Sequence, residues 1–195
     1  MNAKPEISTY NILSILICTL EERKEQLDKL LRHLRSQIIN PDEVEILINS
    51  DNREKTTGAK RNELLEQAKG KYILFIDDDD WVPEYFINEL LKASESGADC
   101  FATNGIMFYV LKNISIQFFF SKDYTDHTLW VGNKPIYIRR TNHISPVKRE
   151  LALQAGFPDI TIHEDTVYSE RLNRFLKTEY LIEKPMYEYM DNKSY

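Results

Sequence analysis

The chain of 195 residues is 42% hydrophobic and 29% charged, with a formal net charge of −6, which suits one well-cored soluble domain and argues against a sequence-independent grip on nucleic acid, where Lys and Arg must neutralise phosphates. After a polar start the apolar "ILSILICTL" is too short for a signal peptide or a membrane span, leaving only peripheral contact with a membrane open. Cys18 and Cys100 each lie in or beside an apolar segment and are expected as buried reduced thiols, which fits a cytoplasmic location.

Residues 12–18, "ILSILIC", read as a buried strand, and the three-and-four spacing of Leu27, Leu30, Leu31, Leu34 and Ile38 marks an amphipathic helix behind it. A second strand, 44–49, leads through a polar loop at 50–57 to a helix around 58–69, which Gly70 is expected to cap. A third strand, 71–76, runs into Asp77–Asp80, and Pro83 then opens a helix carrying Phe86, Ile87, Leu90 and Leu91. This βαβαβα order implies a parallel sheet, with the loops 18–23, 49–57 and 77–82 converging beyond the carboxyl ends of the strands, where open sheets bind ligands. Beyond it, strand-like pieces near 99–103, 105–111 and 114–120 precede a turn-rich stretch at 121–146 and helices near 147–154 and 165–175.

The four consecutive carboxylates of Asp77, Asp78, Asp79 and Asp80 need an explanation. Two charges roughly 6 Å apart repel by about 0.7 kcal/mol in water and by nearer 3 kcal/mol at the effective dielectric of a protein surface. A solvated turn that caps the next helix accounts for one aspartate, not four. Carboxylates two residues apart instead suit Mg²⁺ or Mn²⁺, hard cations that keep positions open for a diphosphate. A calcium loop of the EF-hand type lacks its glycine and downstream glutamate here.

Several blocks together resemble the family-2 glycosyltransferases, whose nucleotide-sugar-binding fold is called GT-A. "SILICTLEER" is similar to the family's opening strand and Thr-containing loop, and "VEILINSDN" to its second strand with an acidic turn. "GAKRNELLEQAKGKYILFIDDDDWVPEYF" is similar to its Arg-Asn helix, Ala-x-Gly, strand and Asp-x-Asp metal motif, and "RELALQAGFPDITIHEDTVYSERL" to the segment whose Glu-Asp pair supplies the catalytic base. The likeness covers about residues 10–110 and 146–175, and hardly touches 111–145. It implies an α/β fold: one GT-A-type, Rossmann-like domain over 1–195, with a central mostly parallel mixed sheet flanked by helices. About 10–110 would be the nucleotide-sugar-binding half and about 111–195 the acceptor-side half.

Carried over residue by residue, the resemblance assigns the metal to Asp79 with Asp77 as partner, and places Asp78 near the ribose or diphosphate; an Asp quartet also admits other registers. Thr19 and Glu21 would contact the nucleotide base, Asp51 (or Asn49) the uracil or ribose, and Arg61 the base or diphosphate. Asp165 would be the general base of an inverting transfer from a nucleotide-diphosphate sugar, a UDP-sugar being favoured, to a glycan, a lipid-linked sugar or a protein hydroxyl. Simpler readings stand beside these: Arg61 as an exposed helix residue paired with a Glu, Glu164 and Asp165 as complements to a helix dipole, His163 as a plain loop histidine. Trp130 is the best aromatic for stacking on an acceptor sugar. Two other readings remain: a non-catalytic nucleotide-sugar-binding module, and a haloacid-dehalogenase-like phosphatase using Asp78-x-Asp80.

Overall fold

A computed structural model describes residues 11–191. Among them, nine strands form one sheet in the order β2-β1-β3-β8-β4-β5-β7-β6, with β9 also paired to β4. The first half follows the alternation in the sequence: β1 (Leu13–Leu20), α1 (Lys24–Gln37), β2 (Val44–Asp51), α2 (Thr57–Gln67), β3 (Tyr72–Phe75) and α3 (Phe86–Ser94). β1 lies parallel to both β2 and β3.

The apolar runs in β1 and β3 are continuous because both faces are covered. Leu13, Ile15 and Ile17 of β1, with Tyr72 and Leu74 of β3, pack toward Leu30 and Leu34 of α1 and Phe86 and Leu90 of α3. The alternate residues Leu16, Ile73 and Phe75 face Leu64 and Leu65 of α2, Ala152 of α4 (Arg149–Ala155) and Tyr168 of α5 (Glu164–Leu172). Two apolar layers thus sandwich the sheet, as period-2 alternation requires.

The second half differs from the sequence reading. The two pieces expected near 99–103 and 105–111 form one long strand, β4 (Cys100–Tyr109), antiparallel to β5 (Ile114–Phe120). The stretch expected to be turn-rich contains a hairpin of β6 (His127–Val131) and β7 (Lys134–Arg139). β8 (Val147–Lys148) joins β3 to β4 in antiparallel fashion, so the sheet is parallel on the β2-β1-β3 side and mixed beyond it.

β9 (Glu179–Asp191) was not foreseen, because Pro185 and its charged neighbours break the strand pattern. Its pairing with β4 absorbs the proline through register shifts at Asn104. Asn104 Nδ2 donates to the carbonyls of Ile182, Glu183 and Lys184, and a Cβ on Gly105 would collide with the Tyr187 carbonyl.

Two local expectations are corrected. Gly70 does not cap α2: the helix ends at the extended residue Ala68, and Gly70 is small because a Cβ there would run into Leu13 and Ser14 of β1. Pro83 begins a turn, its carbonyl accepting from Phe86 N, and α3 starts only at Phe86. Among the described residues no helix is long and apolar enough to cross a membrane.

Candidate active site

β1 runs to β2 on one side and the chain then returns across it to β3 on the other, which makes the β1/β3 junction a topological switch point. The ends of both strands meet there. Thr19 Oγ1 donates to Asp78 Oδ2, and Arg23, in a short helical turn just after β1, reaches Asp78 Oδ1 at 2.7 Å and Asp79 at 3.5 Å. β2 ends beside them at Asp51, buried against Lys60 Nζ at 2.6 Å, with Lys55 N donating to its other oxygen at 2.9 Å. Burial works against the Asp51 charge, but Lys60 and these hydrogen bonds hold its carboxyl below the usual range.

α2 carries Arg61 to the same place. Its guanidinium is only 4% exposed, lies against the Phe75 and Phe157 rings, and reaches Asp77 at 3.2 Å and Glu164 at 3.6 Å. The simpler reading of Arg61 as a surface residue is therefore wrong, because two aromatic rings and two carboxylates enclose it. Burial pushes the Glu164 carboxyl up, against the pull of Arg61. α2 also fastens the chain that leads into α5: Asn62 donates to the Phe157 carbonyl and accepts from Phe157 N, while Gly58 N donates to Ile160 O.

The aspartate quartet divides. Asp80 turns inward, accepting from Tyr187 Oη and from Met190 N at 2.8 Å each, and burial with the nearby charge of Asp77 pushes its carboxyl up to about 8. It is a fastening for β9, so Asp78 and Asp80 do not face one cleft as the phosphatase motif requires. Burial opposes ionisation of Asp77, but His143 and Arg61 outweigh it and hold its carboxyl well below the carboxylate range. Burial and the charges of Asp77 and Asp78 push Asp79 up, with Arg23 offsetting them only in part.

Two cavities share one lining residue near this loop. One, of about 610 Å³, is lined by Thr19, Arg23, Lys60, Arg61 and Asp77–Asp79; the other, of about 420 Å³, is lined by Phe118, Tyr137, Arg139, Arg140 and Asp165. Tyr189 borders both. His143, buried in the lining of the second cavity, has Nε2 3.6 Å from Asp77 and Nδ1 4.0 Å from Asp165.

Sequence matches agree with this geometry. The family model described as "Glycosyl transferase family 2" matches residues 47–117, the span from β2 through the aspartates into β5. Residues 47–117 thus resemble a family-2 glycosyltransferase segment, within a fold of the GT-A type. The chain is 23% identical over 202 residues to EpsH of Bacillus subtilis (strain 168), provisionally named a glycosyltransferase, covering 94% of this chain and 59% of that protein. S. aureus TarS 1–349 in complex with UDP-GlcNAc shares the fold with a TM-score of 0.70 at 14% identity, over 94% of this chain and 59% of that one. Its complex with UDP superposes at 0.68 and 14% identity, over 91% and 60%. The chain therefore spans less than two thirds of these relatives.

Within this glycosyltransferase fold, Thr19, Arg61, Asp77, Asp78 and Asp79 line one cavity and Asp165 lines the other. Asp51 lies just beneath the first, bonded to Lys60. Glu21 is exposed and accepts from Asn52 Nδ2 at 2.9 Å, outside the residues that line the cavity. Trp130 does not line the Asp165 cavity: it stands exposed on β6, the edge strand of the sheet. Sequence reasoning missed Arg23, Lys60 and His143. Only Lys60 carried a signal, a cation one position before Arg61 on α2; Arg23 meets Asp78 across 55 residues, and His143 lies far along the chain from Asp77.

Proposed function

We propose that the chain is a glycosyltransferase that moves a sugar from a nucleotide-diphosphate sugar to an acceptor hydroxyl with inversion at the anomeric carbon. The reading rests on one observation: a cationic and acidic cleft at the switch point shares Tyr189 with a second cavity that is lined by His143 and Asp165. A UDP-sugar is the favoured donor, supported by the UDP-GlcNAc complex of the structural relative.

In this reading Asp78, held by Thr19 and Arg23, orients the ribose or diphosphate. Arg61, fixed by two rings and two carboxylates, supplies a rigid cation for the diphosphate. Glu21 and Asp51 mark the end where the base would lie. Asp165 accepts the proton of the acceptor hydroxyl as that oxygen attacks from the face opposite the leaving diphosphate. About 10–110 would serve the donor and about 111–195 the acceptor, whether a glycan, a lipid-linked sugar or a protein hydroxyl.

Among the described residues no three His, Cys, Asp or Glu side chains converge to hold an ion by themselves. Asp77 and Asp79 nevertheless suit Mg²⁺ or Mn²⁺, since such ions take one or two carboxylates and complete their shell with water and substrate phosphates. Burial first, and then the charges of Asp77 and Asp78, push Asp79 up, and a cation would relieve the charge part of that. When bound, the ion would offset charge on the departing diphosphate. The free thiols of Cys18 and Cys100 fit a cytoplasmic setting for this chemistry.

Incubation with UDP- and GDP-sugars, with and without Mn²⁺, tests the reading. Metal-dependent release of nucleoside diphosphate supports it. Binding without turnover points to a non-catalytic module, and release of inorganic phosphate from a phosphomonoester would contradict it.

A further inference from the structure

We infer that the tips of two adjacent hairpins dock on the surface of an anionic lipid bilayer. β5 and β7 run parallel, with Gln117 opposite Ile136, so the turns that precede them, 110–113 and 132–133, project from the same end of the sheet. Adjacent strands are about 5 Å apart, which makes the tips one surface.

That surface is apolar where it meets water. Leu111 is 65% exposed, Trp130 63% and Val131 59%, and Val110, Ile114 and Leu129 are exposed beside them. Single exposed apolar residues are ordinary, but six on two neighbouring turns and the strand ends beside them are a patch of the kind that marks an interaction site. Both turns are held in shape by left-handed residues, Asn113 in one and Gly132 in the other, so the side chains are presented by fixed backbone.

The charge pattern selects the partner. The whole chain is net −6, yet the only Asp, Glu, Lys or Arg residues within 108–117 and 128–138 are Lys112 and Lys134. Asp191, opposite Tyr109 across the β4–β9 ladder, is buried. An apolar tip with an interfacial Trp and flanking lysines, on an otherwise acidic molecule, is complementary to a bilayer whose headgroups carry negative charge. The Asp165 cavity is lined by Met107, Tyr109 and Tyr137 of the same strands, so docking would set its outer end against the headgroups.

Co-sedimentation tests this on the intact chain, with vesicles of phosphatidylcholine alone and of phosphatidylcholine mixed with phosphatidylglycerol. The wild type is expected to sediment with the phosphatidylglycerol vesicles and to be released as salt rises. Leu111→Ser with Trp130→Ser should lower partitioning about tenfold or more, as should Lys112→Glu with Lys134→Glu, each with an unchanged melting temperature and unchanged donor binding. Wild-type protein left in the supernatant at low salt, or both variants sedimenting as the wild type does, would overturn the inference. So would a concentration-dependent dimer dispersed by the apolar variant, which would make the patch a contact between copies through the β6 edge.

Discussion

Tyr187 donates a hydrogen bond to the Asp80 carboxylate at 2.8 Å while its oxygen accepts from Asp77 N at 3.2 Å. One buried hydroxyl thus joins β9 to both ends of the acidic loop, and a residue some hundred positions away fixes which aspartates face the cleft. Tyr187→Phe leaves a buried carboxyl group and an amide each short of a partner, and should destabilise the fold by about 2 kcal/mol. Urea unfolding with an unchanged m-value checks this; a midpoint equal to that of the wild type would show that the contact carries no weight.

Asp165 lines the cavity beyond His143, with Thr166 N donating to its Oδ1 at 2.8 Å. Asn can accept that same bond, so Asp165→Asn should keep the start of α5 and the donor cleft intact while removing the base. Donor affinity should stay within a few-fold and transfer should fall by a factor of about a hundred or more. Steady-state transfer at saturating donor decides the matter, and undiminished turnover would remove Asp165 from its role.

Asp99 joins β4 to β8 and to the start of β9. Lys148 Nζ lies 2.9 Å from its Oδ1, and the amides of Lys177 and Thr178 donate to its Oδ2. Burial opposes the charge, but these partners hold its carboxyl down at about 2. The folded-state pKa lies below the unfolded one, so the contribution is complete above about pH 4 and is lost as pH falls through about 2. Asp99→Asn should therefore cost about 2 kcal/mol at pH 7 and progressively less toward pH 2. Denaturant titrations at several pH values measure the gap, and a gap that stays constant with pH would refute the electrostatic origin.

Half of this architecture is written locally. "ILSILIC" and "KYILFI" are buried on both faces and "LDKLLRHL" has a helical stripe, so short windows suffice to find β1, β3 and α1. The hairpin at 127–139 escapes such windows because β6 is exposed along its whole length and β7 contains Pro135. Gly70 shows a right residue read for a wrong reason: its smallness serves the approach of Ser14, not a helix cap. The site was legible where one loop carries its chemistry, as in Asp77–Asp79. It was hidden where tertiary contact creates the role, as when Arg23 closes on Asp78 or His143 settles between Asp77 and Asp165.

The most direct measurement is calorimetric titration of a UDP-sugar with Mn²⁺ into the wild type and into Asp79→Ala. Asp79 is partly exposed and its ion pair to Arg23 is long, at 3.5 Å, so the substitution leaves the fold standing. Saturable, Mn²⁺-dependent binding to the wild type, weakened tenfold or more in Asp79→Ala, is the expected result. Equal affinity in the two proteins, or no binding to the wild type at saturating donor and metal, would contradict the assignment of this cleft to an activated sugar.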